Sequence, residues 1–141
     1  MTAIVPATSA NVGCAFDCAA IALNLHLKAG FAAREAGGYR ITYAGQNSDR
    51  VPLDDSNLVL LSFLGTLKHY GRIASGGEFA IESEIPVGVG LGSSAAAIVA
   101  GILLGTQYCE AGIDPRIVLR LALELEGHPD NVAAAFHGGF V

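Results

Sequence analysis

The run PVGVGLGSSAA at residues 86–96, continuing into an almost wholly apolar stretch that ends near Cys109, constrains this chain more than any other segment. Glycines at 88, 90 and 92 free the backbone to curl its N–H groups inward. The residues from Ser93 to Ala96 then open a helix whose first amides lack intrahelical partners and whose positive dipole end faces the loop. With two serine hydroxyls added, the segment reads as a cradle for phosphate oxygens or a metal ion. No GK[ST] follows the glycines, which excludes a Walker A loop, and their GxGxG spacing is not the dinucleotide fingerprint. The competing reading is a glycine-rich turn that lets a strand pack tightly on a helix. The helix predicted from Ser94 to Cys109 is apolar on nearly every side, so it must run through the middle of the domain.

The remaining segments supply layers to cover it. Thr2–Pro6 reads as a short strand, and the small-residue run ATSANVGCA that follows reads as a loop. Leu23, Leu25 and Leu27 alternate with polar residues, as do Tyr39, Ile41 and Tyr43 after the Gly37-Gly38 turn, which predicts two strands with one buried face each. From Asn57 to Tyr70 the leucines recur at helical spacing, with Asp55 or Ser56 as N-cap and Gly71 as the stop. Phe79, Ile81 and Ile85 give a strand running into Pro86. A further helix is predicted from Asp114, with Pro115 in its first turn, to Glu126 and the Gly127 stop. HPDN then reads as a Pro-containing turn, and HGGFV as a turn entering a strand. No repeat or linker divides the chain, so residues 1–141 are expected to form one domain, and the strand broken at Val141 suggests part of a longer protein.

At 52% hydrophobic and 15% charged residues, the 141-residue chain has the make-up of a globular domain with its own core. Its 8 basic and 13 acidic residues give a net charge of −5 without a Lys/Arg cluster, which argues against nucleic acid and anionic membrane as partners. The longest apolar stretch, Ala95–Gly105, is about half of what spans a bilayer, and the N-terminus lacks a signal-like pattern. A cytoplasmic protein is expected. Cys14, Cys18 and Cys109 are odd in number and lack CxxC spacing, so neither a disulfide framework nor a structural zinc site is expected.

The whole string PVGVGLGSSAA resembles the phosphate-binding motif of the GHMP kinases, written loosely as Pxx(G/S)xGLGSSAA. Two more stretches are similar to motifs of the homoserine kinase branch of that family: PATSANVG…FD at residues 6–17, with Cys14-Ala15 where Pro-Gly is usual, and EGHPDNVAAAFHGGF at residues 126–140. The resemblance implies an α+β fold, like the ribosomal protein S5 domain 2-like N-terminal domain of these kinases. The family's third motif and its C-terminal ferredoxin-like domain have no counterpart here. It further implies ATP-dependent, Mg²⁺-requiring phosphorylation of the side-chain hydroxyl of L-homoserine, a step of threonine biosynthesis, by a homodimer. The alternatives are a kinase for another small hydroxylated metabolite, mevalonate-like or a sugar, and a non-catalytic ligand-binding domain of the same fold.

Carried over residue by residue, the resemblance implies ATP contacts from Pro86, Val87, Gly88, Val89, Gly90, Leu91, Gly92, Ser93, Ser94, Ala95 and Ala96. Asn57 matches a position near the adenine, although at a helix start it could serve only as a cap. Ser94 and a carboxylate would hold Mg²⁺, which takes few ligands from protein. Glu124 in LELEG is the preferred carboxylate, with Glu126 as its competitor. His128 and Asp130 resemble substrate-holding residues, with Asp130 near the reacting hydroxyl, and Asn131 resembles one close to the transferred phosphate. Asp130 and Asn131 are thus the catalytic candidates, and Asn11 and Asp17 further substrate contacts. His26, His69, His137 and Phe136 are read as structural.

Overall fold

The computed structural model describes residues 1–11, 13, 18–35 and 37–141. Their elements in chain order are β1 (Thr2–Ala10), β2 (Ala20–Ala33), β3 (Gly38–Gly45), a 3₁₀ turn (Ser48–Arg50), α1 (Leu58–His69), β4 (Gly76–Ser83), α2 (Ser93–Tyr108), α3 (Pro115–Glu126) and α4 (Pro129–His137). The strands form one sheet in the order β1-β2-β4-β3. Its β1-β2 and β2-β4 pairs are antiparallel, while β3 and β4, joined through α1, run parallel.

The alternation seen in the sequence decides which sheet face is covered. Leu27, Ala29 and Phe31 of β2 are buried, as are Phe79 and Ile81 of β4 and Ile41 of β3, while Lys28, Arg40 and Glu82 between them stay exposed. Phe31, Phe63 and Phe79 form the centre of this layer, with ring centroids 4.5, 4.6 and 5.2 Å apart.

Helix α2 is the buried member of the second layer; Ala95, Ala96, Ile98, Val99, Ala100, Ile102 and Leu104 are all essentially inaccessible. Its packing on α1 depends on two glycines one helical turn apart. A Cβ at Gly101 would overlap the Ser62 hydroxyl and the Val59 carbonyl, and one at Gly105 would come within 2.7 Å of the Thr66 side chain. Glycine inside a helix costs about 1 kcal/mol relative to alanine, and the close approach of two helices is what compensates.

Two expectations are revised. Residues 7–10, read as loop, continue β1: after a bulge that leaves Asn24 and Leu25 of β2 unmatched, Ala7 to Ala10 pair with Leu23 back to Ala20. Their small side chains serve burial rather than turning, since Ala7 and Thr8 have no exposed surface. HPDN is a helix start rather than a free turn, with His128 at the N-cap and Pro129 in the first turn of α4. After α4, positive-φ Gly138 and Gly139 return the chain to β2, where Val141 and Ala20 exchange backbone hydrogen bonds of 2.9 Å. Asp17 and Cys14 lie outside the described residues.

Candidate functional site

A cleft of about 480 Å³ opens between the 87–92 loop, the starts of α1 and α2, and the segment following the 3₁₀ turn. One end is apolar, walled by Val51, Pro52, Leu58, Ile81 and Val87; the other is polar, with Ser93, Ser94, Glu126 and Asn131. Gly88, Gly90 and Gly92 have φ of 78°, 79° and 65°, the left-handed region that side chains rarely adopt. Gly92 caps α2, whose first helical bond runs from Ala96 N–H to the Gly92 carbonyl at 2.9 Å. The amides of Ser93, Ser94 and Ala95 therefore precede that bond and have no partner within the helix.

At this helix start the Ser94 hydroxyl donates to Glu126 Oε1 at 2.8 Å. Glu126, the last residue of α3, lines the cleft, whereas Glu124 is exposed and takes no part in its lining. A hydroxyl and a carboxylate in contact are hard oxygen donors of the kind Mg²⁺ selects. No group of three or more His, Cys, Asp or Glu side chains gathers into a metal cage among the described residues. The pair thus suits an ion completed by water and ligand oxygens. Beside it, Asn131 presents its side chain to the cleft; its Oδ1 accepts from Thr8 Oγ1 at 2.8 Å, and its backbone N–H donates to Asp130 Oδ1 at 2.7 Å. Asp130 is 93% buried, being 7% exposed, and its second carboxylate oxygen takes no hydrogen bond among the described residues.

Not every expected residue reaches the cleft. Of the 86–96 segment, Val87, Gly88, Gly90, Leu91, Gly92, Ser93 and Ser94 line it. Pro86 and Val89 do not; Val89 turns outward, and Ala95 and Ala96 face the core, where only their backbone could serve a ligand. Asn57 lines the cleft with its polar atoms already used, Oδ1 capping α1 through Val59 N–H at 3.0 Å and Nδ2 bonding the Pro52 carbonyl at 2.7 Å. Asn11, His128 and Asp130 lie outside the lining, Asp130 being next to it through its bond from the Asn131 N–H. Two residues not singled out in the sequence also line the cleft, Arg50 with its Nη1 3.1 Å from where a Cβ on Gly88 would lie. Arg50 is the one cationic side chain lining the cleft among the described residues, and the buried Tyr43 hydroxyl has no hydrogen-bond partner there. Arg50 stands alone in sequence without a basic neighbour, and Tyr43 reads as one more strand aromatic.

The family model for the GHMP kinases N terminal domain matches residues 57–139, which include the glycine loop, Ser94, Glu126 and Asn131. The chain belongs to the GHMP kinase family. It is 40% identical over 139 residues to the homoserine kinase of Microchaete diplosiphon, a match covering 99% of this chain and 45% of that protein. It also superposes on the crystal structure of homoserine kinase from Cytophaga hutchinsonii with a TM-score of 0.87 and 36% identity, covering 100% of this chain and 47% of that one. The mevalonate kinase of Methanococcus jannaschii shares the fold, at a TM-score of 0.81 with 16% identity over 99% of this chain and 52% of that one. The chain thus spans about half the length of the relatives it matches. Within the family's N-terminal domain, the glycine loop and the α2 start form one wall of the cleft, with the α3–α4 junction closing its polar end. Among the described residues, no helix is long and apolar enough to cross a membrane.

Proposed function

We propose that this chain carries the nucleotide-binding half of a kinase that uses ATP and Mg²⁺ to phosphorylate the side-chain hydroxyl of L-homoserine, a step of threonine biosynthesis. The observation that carries the reading is the 2.8 Å Ser94–Glu126 hydroxyl–carboxylate pair at the start of a helix preceded by three left-handed glycines. ATP fits the cleft in kind: an apolar end with an unpaired tyrosine hydroxyl for a base, and a polar end of amides and hard oxygens for phosphates. Ser94 and Glu126 would hold Mg²⁺, so Glu126 replaces Glu124 as the favoured carboxylate. Mg-ATP, when bound, supplies the transferable phosphoryl group and part of the charge neutralisation that its transfer needs.

The chain's own residues supply position. Backbone amides of the loop and the α2 start fix phosphate oxygens, and Asn131 holds its amide beside them at the polar end. Asp130 offers its second carboxylate oxygen to the acceptor hydroxyl, orienting it for in-line attack or taking its proton. The preference for homoserine rests on the EGHPDN run and on the names of the more similar relatives. The test is a panel of L-homoserine, mevalonate and small sugars presented with Mg-ATP to the full-length protein, with phosphorylated product measured. Homoserine should be preferred; preference for another acceptor moves the chain to a different branch of the family. Mg-ATP binding without turnover of any acceptor would favour a non-catalytic domain.

A further inference from the structure

We infer that Thr8, at the inner end of β1, is a positioning residue that selects the orientation of the Asn131 amide and ties it to the glycine loop. The inference rests on the reading above only for what Asn131 does. Thr8 has no exposed surface, and both its hydroxyl and its backbone N–H bond to the site. Its hydroxyl donates to Asn131 Oδ1 at 2.8 Å, and its N–H donates to the Leu91 carbonyl in the loop at 3.1 Å. A Cβ on Gly92 would overlap the same hydroxyl, so the loop closes against Thr8 as far as a glycine permits. One residue thus joins segments from three distant parts of the chain.

A side-chain amide has two orientations that differ only in which end carries oxygen. Here Nδ2 of Asn131 lies 3.5 Å from Asp130 Oδ1, a long contact but one of donor to acceptor. Flipping the amide would set its oxygen against the carboxylate oxygen, two acceptors facing each other, and would leave the buried Thr8 proton without that acceptor. The donated proton of Thr8 and the carboxylate of Asp130 therefore favour the same state. In it the amide oxygen is withdrawn toward β1 and the N–H₂ group faces the Asp130 side.

Replacing Thr8 separates this role from packing. Thr8→Val keeps the shape and the backbone bond to Leu91 but removes the hydroxyl, while Thr8→Ser keeps the hydroxyl and removes a methyl group. In the full-length protein without ligand, nitrogen-15 spectra should show the Asn131 side-chain amide pair shifted in Thr8→Val and near its wild-type position in Thr8→Ser. With homoserine and Mg-ATP, Thr8→Val should lower kcat by about 10- to 100-fold through misplacement of Asn131. Nucleotide Kd should stay within about two-fold, because the loop bond is retained. Unchanged amide signals and kcat in Thr8→Val would overturn the inference. So would a Thr8→Ser variant as impaired as Thr8→Val, since that would mark packing as the role. If Thr8→Val does not fold, the pairing of Thr8→Ala with Asn131→Ala decides: the double variant should be no slower than Asn131→Ala alone, and additive losses would refute coupling. Absence of kinase activity in the wild type would defeat the reading of function, while the spectra would still decide the role of Thr8.

Discussion

The Ser94–Glu126 contact makes a prediction that distinguishes neighbouring carboxylates. Ser94→Ala and Glu126→Gln should each remove most of the Mg²⁺ enhancement of nucleotide binding, at about 1.5–3 kcal/mol for a hydrogen bond or ligand contact involving a charged group. Glu124→Gln should leave it intact. Calorimetric titration of ATP with and without Mg²⁺ measures all three, and loss in Glu124→Gln alone would reverse the assignment. The sequence reading reached LELEG and preferred Glu124, although nothing in the sequence itself decides between the two. Residues two apart on a helix point about 200° away from each other, so one of the two must face away, and the phase of α3 against α2 is a tertiary fact. Asn57 shows the same limit. Its position beside the cleft was legible, but the capping bond and the bond to the Pro52 carbonyl show its side chain holding the wall together. Asn57→Ala should therefore lower unfolding stability by about 0.5–2 kcal/mol, read by urea titration, with nucleotide affinity following only as the wall loosens.

Among the elements, α1 and α2 carry the most exacting contact. Gly101→Ala or Gly105→Ala would improve intrinsic helix propensity by about 1 kcal/mol. Each should nevertheless destabilise the fold by about 1–3 kcal/mol, because a methyl group there meets Ser62, Val59 or Thr66. A rise in thermal midpoint for either variant would show that the two helices are not in close register. The periodic segments α1, α2, α3, β2, β3 and β4 were legible because each buries one face or, for α2, nearly all of itself. What the sequence concealed had no period. Residues 7–10 look like loop because Ala, Thr and Ser are small, yet Ala7 and Thr8 are small because β1 is fully covered there. HPDN looks like a turn because proline and asparagine favour turns, yet proline suits a first helical turn equally, and α4 follows. Both misreadings fall on the site. Strands and helices that meet at a ligand cleft are chosen for close approach, which erases the apolar alternation that announces an element elsewhere.

For the whole molecule the question is how much of the reaction these 141 residues can perform. The side of the cleft proposed for the nucleotide is richly furnished, with glycine loop, helix start, Ser94 and Glu126 on one chain. The acceptor side is not. An amino acid substrate carries a carboxylate that calls for a cation, and the one cationic side chain lining the cleft among the described residues, Arg50, reaches the glycine loop at Gly88, on the side proposed for the nucleotide. The relatives it matches are about twice as long, leaving room elsewhere in such proteins for the missing charge. The chain by itself should therefore bind Mg-ATP yet fail to phosphorylate homoserine, since a substrate held from one side lacks the fixed attack geometry on which transfer depends. It should also self-associate: Phe140 is 69% exposed beside Ile21, and Ile4 on the outer strand β1 is 61% exposed. An edge strand with apolar neighbours offers both unpaired backbone and a greasy surface to a second copy. Light scattering and a coupled assay for ADP release on the 141-residue chain examine both expectations. A monodisperse monomer that phosphorylates homoserine would mean that the cation is supplied within these residues and that the acceptor pocket has been drawn too narrowly around Asp130 and Asn131.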